Sequence, residues 1–338
     1  MYSWNEAVWG ALQSRPNGLP GTLLLAGPAG VGKRSFAQTL AQGSLCANRT
    51  ADGKPCGACA SCRLVASGSH PDFRVLEPAA AEELSGDGPD VGGGASPGSR
   101  ASRAIVVSQI RDLGDFLAVT SHLGGAKVVL IQPADRLHPS AANALLKTLE
   151  EPRPGTTFIL VSDRPQRLPA TVRSRCFRVD FLAPQPHAAA EWLRAKGIRD
   201  PEIALAQGGF APLAAEELEQ SGFWGRRRAL SELLASQEMA SGDLAESVAT
   251  EELSLLCGVL YRWCYDLLSL RLGGRVRYNP DYVKSLRRLA DNAPVLRVQE
   301  LLRDLVVASR TLEHPLNARL VIERLAIQYT RTIARQES

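Results

Sequence analysis

Hydrophobic positions fall along this chain in two regimes. Up to about residue 182, short apolar runs alternate with stretches of helical period, and beyond Ala188 only helical period remains. Thr22–Ala26 and Val128–Ile131 are apolar at almost every position, the pattern of strands buried on both faces of a parallel sheet. Asp72–Leu76, Thr157–Val161 and Phe177–Phe181 read as further strands. Between them, Trp4–Ser14, Ser35–Leu45, Ser108–Leu117 and Ser140–Leu149 place apolar residues on one helical face. Ser108 is the expected cap of its helix, and Pro152 stops the helix before it. Thr171–Arg175 is short and either helical or a loop. Strands alternating with helices predict an α/β fold with a parallel sheet covered on both faces.

The remaining periodicity predicts two further domains. Glu191–Lys196 and Pro201–Gln207 form a small helical lid ending near Gly208-Gly209. Arg226–Ser236, Glu251–Leu272, Pro280–Asn292, Val295–Ala308 and Leu316–Ile333 then form an all-helical C-terminal bundle. The expected division is 1–182, 183–212 and 213–338. Residues 82–103 are rich in Gly, Ser, Pro and Asp without apolar period and read as a flexible surface loop.

Composition adds little to this picture. The 338 residues carry 39 basic and 35 acidic side chains, a net charge of +4 that does not announce a nucleic-acid binder. No apolar run approaches a membrane span and the N-terminus has no signal-peptide layout, so the expected location is cytoplasmic, away from membranes. The cysteines change more. Four of the seven crowd into Cys46, Cys56, Cys59 and Cys62, enough thiolates to close a tetrahedral metal site. The CxxCxxC spacing is shared by zinc and iron–sulfur centres, and spacing leaves both open. Cys257 and Cys264, seven apart on one helix, are expected in the core, and His70 is expected to be a polar residue outside the ligand set.

The strongest chemical signal is Leu23–Arg34, LLLAGPAGVGKR. An apolar strand breaks at Gly27, Gly30 and Gly32, Lys33 follows, and Ser35–Leu45 reads as a helix. This is the layout of a phosphate-binding loop, in which backbone N–H groups and the helix N-terminus face an anion and the lysine reaches the outer phosphates. The next residue is Arg34, where the full motif needs Ser or Thr to hold Mg²⁺. A hydrolysing site also needs acidic residues after a buried strand, yet Val128–Ile131 runs into Gln132-Pro133. Asp135, a turn later, is placed to form hydrogen bonds only. The loop is expected to bind phosphate with a damaged metal site, and hydrolysis by this chain is not expected.

Gly27–Lys33, the run Leu145–Pro152 (LLKTLEEP) and Ser174-Arg175-Cys176 together resemble bacterial clamp-loader subunits of the AAA+ class. Pro315–Leu320 is similar to the last collar helix of that family. The resemblance implies an AAA+ domain, a small lid and a helical collar that joins a circular hetero-oligomer. It implies a structural zinc ion on Cys46, Cys56, Cys59 and Cys62. It implies that Arg175 is an arginine finger aimed at a neighbour's nucleotide, a role suited to a planar, always-charged guanidinium. The missing acidic pair implies a non-hydrolysing component of the DNA polymerase III holoenzyme, its loop (Gly27, Gly30, Gly32, Lys33, Arg34) either empty or holding ATP or ADP without turnover. Implied partners are the gamma/tau motor subunits, a delta subunit, and, through the complex, the sliding clamp and primer–template DNA. The second-sensor arginine of active members has no counterpart near Gly208–Ala211, and Ser162-Asp163 lies near the first-sensor position or is simply a solvated strand end. Arg226–Arg228 reads as a solvated charge run, and Trp224, Tyr261, Trp263 and Tyr265 as bundle packing. Two alternatives stay open: an active motor-type ATPase, and a zinc-dependent DNA-binding module with a vestigial loop.

Overall fold

The computed structural model describes residues 1–16, 18–78, 104–123, 125–236, 242, 252–311 and 318–333. The expected loop at 82–103 lies outside these residues, as does the start of the collar motif at 315–317. Two compact units divide at Pro184.

The first unit is built on five parallel strands: β1 (Thr22–Ala26), β2 (Phe73–Leu76), β3 (Lys127–Ile131), β4 (Thr156–Ser162) and β5 (Phe177–Asp180). Their order is β2-β3-β4-β1-β5. Every residue of β1 and β3 is buried, including Thr22 and Lys127 at their starts, and the apolar runs that follow are those of strands covered on both faces. Register sets the functional end of the sheet. Ala26 pairs with Ser162, and Ile131 pairs with both Leu76 and Leu160. The residues that follow β1, β2, β3 and β4 therefore emerge side by side at the carboxyl edge, where open α/β sheets bind ligands.

Helices α1 (Glu6–Gln13), α2 (Lys33–Leu45), α3 (Ala60–Ala66), α4 (Val107–Ala118), α5 (Pro139–Glu150) and α6 (Ala170–Arg173) complete the unit. Helix α2 starts two residues before the apolar period suggests because Gly32, at φ +91°, supplies its left-handed cap. Helix α4 is not capped by Ser108. It begins at Val107, and the Gln109 side chain takes the Val106 N–H at 3.0 Å while donating to the Glu77 carbonyl at 2.8 Å. Helix α3 has no periodic signal in the sequence. Its cap is a thiol: Cys59 Sγ accepts from Cys62 N.

In the second unit, α7 (Pro186–Ala195), α8 (Pro201–Gln207) and α9 (Pro212–Gln220) share one apolar cluster of Ala189, Leu193, Leu205 and Ala215. The third of these helices was not evident in the sequence. A larger cluster joins α10 (Phe223–Ala235), α11 (Leu253–Arg271), α12 (Val283–Ala290), α13 (Val295–Thr311) and α14 (Ala318–Ile333) around Trp263, Leu267 and Tyr329. Cys257 and Cys264 lie in that core as expected, whereas Tyr261 is exposed. Helix α11, 19 residues long, is long and apolar enough to cross a membrane, contrary to the reading that no run approaches that length. Here Leu256, Leu260, Trp263 and Leu267 are instead buried in the protein's own core.

Arg226–Arg228 also differs from the solvated run expected. Arg227 is buried and forks onto Asp281 at 2.7 and 2.8 Å, with a third bond to Asn279 Oδ1 at 3.0 Å. The partner Asp281 lies 54 residues downstream, out of reach of any local pattern. Beside it, Asp266 is fully buried on α11 and accepts from the N–H groups of Arg277 and Asn279 at 2.7 and 2.8 Å, and from Asn279 Nδ2 at 2.9 Å. Removing that carboxylate leaves the backbone N–H groups of Arg277, Tyr278 and Asn279 and the Asn279 amide without their acceptor. Asp266→Ala is expected to cost about 3 kcal/mol, read as a lower urea midpoint at unchanged slope.

Candidate phosphate site and four-cysteine centre

The loop after β1 is shaped by close approach. A Cβ on Gly27 would lie 2.2 Å from the Phe181 carbonyl oxygen, and one on Gly32 would lie 2.6 Å from the Tyr2 ring. Both positions therefore require glycine. Trp4 Nε1 and Asn5 Nδ2 both donate to the Val31 carbonyl at 3.0 Å, which fixes the loop's outer side to the N-terminal helical turn.

Lys33 is only 3% exposed, and its ammonium is fully engaged. It donates to the Gly27 and Pro28 carbonyls at 2.8 and 2.6 Å and pairs with Asp163 at 2.6 Å. Asp163 follows β4, so the Ser162-Asp163 step is part of the site rather than a solvated strand end. Asp135, which cannot reach the loop, holds this step in place: it accepts from Ser162 Oγ at 2.7 Å and from Asp163 N at 3.1 Å.

Arg34 forms an ion pair with Glu77. The same Glu77 oxygen accepts from Gln132 Nε2 at 2.9 Å, while the other side-chain atom of that amide, Oε1, is buried without a partner. Gln132 joins Pro133 through a cis peptide bond. Glu77 was not singled out from the sequence. Its signal was positional: it directly follows β2, whose last residue pairs with Ile131, so it stands beside Gln132. The structure thus brings Gly27, Gly30, Gly32, Lys33 and Arg34 together and adds Asp163, Glu77 and Gln132.

A magnesium site at this edge needs oxygen ligands in near-octahedral array. The two side chains that occupy the ligand positions, Arg34 and Gln132, present N–H donors toward a carboxylate instead. These residues do not fit a bound Mg²⁺.

Arg175 is placed elsewhere, after α6. Its Nε and Nη2 both reach Glu150 Oε2 at 2.9 Å, and Nη1 donates to the Thr171 carbonyl at 3.0 Å. Both side chains remain accessible to solvent.

The four cysteines do converge. Their sulfurs all lie within 4.8 Å of one another, with Cys46 Sγ 3.5 Å from Cys56 Sγ and 3.8 Å from Cys59 Sγ. A tetrahedral tetrathiolate with bonds of about 2.3 Å separates its sulfurs by about 3.8 Å. The donor set therefore fits a metal ion. Backbone N–H groups support it: Cys56 N, Cys59 N and Cys62 N each point to the preceding cysteine's sulfur at 3.4 Å. The Cys62 N–H is the main cause that brings the Cys59 thiol down to about 6, whereas burial pushes Cys62 up to about 12. His70 stays outside the cluster. Its Nδ1 accepts from Asp72 N at 3.1 Å, so Nε2 carries the proton toward Ser61 Oγ, 2.7 Å away.

A parallel β2-β3-β4-β1-β5 sheet with a glycine-lysine loop after β1, followed by a helical unit, defines a P-loop protein of the AAA+ class. Within that class the comparisons are specific. A family model described as DNA polymerase III, delta subunit, matches residues 9–185. The chain is 39% identical over 282 residues to DNA polymerase III subunit delta' of Pseudomonas aeruginosa, covering 80% of this chain and 78% of that protein. It is 32% identical over 289 residues to subunit delta' of Escherichia coli, covering 83% and 80%. Similarity to Escherichia coli subunit tau is 31% over 237 residues, 70% of this chain but 32% of that one. The chain belongs to the DNA polymerase III delta' family.

The cysteine geometry makes a prediction independent of the metal's natural identity. Titrating metal-free protein with Co²⁺ should give the visible bands of one tetrahedral tetrathiolate per chain, and Cys62→Ser should abolish that spectrum.

Proposed function

We propose that this chain is the stationary, non-hydrolysing delta' subunit of the DNA polymerase III clamp loader, helping to place the sliding clamp on primed DNA during replication. The observation that carries the reading is the chemistry at the ends of β2 and β3 and the start of α2. Arg34 and Gln132 there turn N–H groups onto Glu77, so the oxygens that would hold Mg²⁺ and the base that would activate water are missing. The same observation weighs against a motor-type ATPase. A net charge of +4 gives no support to a free-standing DNA-binding module.

In this reading the chain's catalytic contribution is made in trans. Arg175, accessible and held by a surface carboxylate and the Thr171 carbonyl, would swing to the triphosphate of a neighbouring gamma/tau motor subunit and neutralise charge on the transferred phosphoryl group. The ring would also include a delta subunit, and contacts with primer–template DNA would be mainly to phosphates. Zinc on Cys46, Cys56, Cys59 and Cys62 would be structural, because four protein thiolates close its coordination. The division into AAA+ domain, lid and collar at about 182 and 212 belongs to the same proposal, as does a cytoplasmic location. The chain's own loop would hold nucleotide without hydrolysing it.

The test is steady-state ATP hydrolysis by the chain alone and with its motor and delta partners. The isolated chain is expected to be silent and the mixture active. Arg175→Ala should leave the complex intact by gel filtration while slowing the site it faces by about 10³-fold or more. Turnover by the isolated chain, or unchanged turnover with Arg175→Ala, would overturn the proposal.

A further inference from the structure

The side chains at the end of the sheet point to a nucleotide site that works without a divalent cation. We propose that the loop Gly27–Arg34 binds the oligophosphate of a nucleoside di- or triphosphate in a metal-independent way, with the Arg34 guanidinium supplying the charge that Mg²⁺ supplies in a hydrolysing site. This rests on the reading above that the loop holds nucleotide, and goes further by naming what replaces the metal.

The loop retains what it needs for phosphate. Gly27 and Gly32 let the loop pack tightly against the Phe181 carbonyl and the Tyr2 ring, and Lys33 is held at the loop by two of its carbonyls. The third partner of the ammonium, Asp163, is an anion standing where a phosphate oxygen would bind. It is 44% exposed, so it can be displaced into water while Lys33, at 3%, cannot move away.

Arg34 repeats the arrangement on the metal side. It directly follows Lys33, and its Nη2 meets the Glu77 oxygen that also takes the Gln132 amide. Gln132 is the residue after β3, where a metal-orienting carboxylate would stand, so the guanidinium lies one shared oxygen from that position. Glu77 is itself 42% exposed and displaceable. A guanidinium carries five N–H donors in a planar fork suited to phosphate, and pairing through one terminal nitrogen leaves others to bind it. The second sign of a polar ligand is Gln132 Oε1, an acceptor without a partner on a side chain 4% exposed. Such an atom is costly unless a donor reaches it, and a nucleotide hydroxyl or bound water can provide one.

The experiment is equilibrium binding of ADP and ATP to the full chain by calorimetry, in Mg²⁺ and in EDTA. Equal affinity in the two buffers is expected. Arg34→Thr restores the metal-binding hydroxyl but removes the cation, and should weaken binding in EDTA by about tenfold or more. Arg34→Lys should recover part of that loss. Asp163→Asn removes the competing anion and should tighten binding, with unchanged thermal midpoints showing that the variants fold. Binding that needs Mg²⁺, no binding in either buffer, or an Arg34→Thr protein unaffected in EDTA would each overturn the proposal. Because no partner subunit is present, these outcomes are separate from those of the Arg175 assay.

Discussion

A buried ammonium organises the carboxyl edge of this sheet. Burying the Lys33 ammonium is costly without partners, and two elements contribute them: the loop after β1 turns two carbonyls inward, and the end of β4 brings Asp163. That demand propagates. The loop can fold so tightly only if Gly27 passes against the Phe181 carbonyl, which anchors it to the end of β5. Asp163 can reach the ammonium only if its backbone is held, and Asp135 does that from the turn after β3. One charge thereby ties the ends of four strands into a single arrangement.

The same edge is polar beside the loop as well. Arg34 and Gln132 present nitrogen donors at the start of α2 and the end of β3, and a carboxylate from the neighbouring strand, Glu77, satisfies them. The polarity of the site is inverted rather than erased. An apolar substitution at Gln132 would have removed the site; a polar one, answered by Glu77, keeps the edge hydrogen-bonded and accessible.

Much of this was legible in order of sequence separation. β1 and β3 declared themselves because a strand buried on both faces must be apolar throughout. The loop was legible because the seven consecutive positions Gly27–Lys33 carry its chemistry, and the cysteine centre because its ligands span only Cys46 to Cys62. What escaped depends on register. Glu77 and Gln132 are 55 residues apart, and only the pairing of β2 with β3 makes them neighbours. Helix α3 was invisible because a thiol caps it and no apolar stripe marks it. Ser108 failed as a cap because Gln109 was already committed to both Val106 and Glu77. Helix α11 looks long enough for a membrane because a helix surrounded by four others is apolar nearly all round.

Two arginines show why side-chain type does not reveal role. Arg227 sits in a charge run that reads as solvated, yet it is buried and forked onto Asp281, with Asn279 filling another donor. Breaking such a pair leaves an uncompensated charge in the core, so Arg227 is fixed for the life of the fold. Arg175 also pairs with a carboxylate, Glu150, but that carboxylate is exposed and Arg175 itself is only half-buried. An ion pair in water contributes about 0–1 kcal/mol, so the guanidinium can leave Glu150 for a more highly charged anion at almost no cost. Glu150 and the Thr171 carbonyl thus hold the Arg175 side chain at the surface, whereas Arg227 is held in the core.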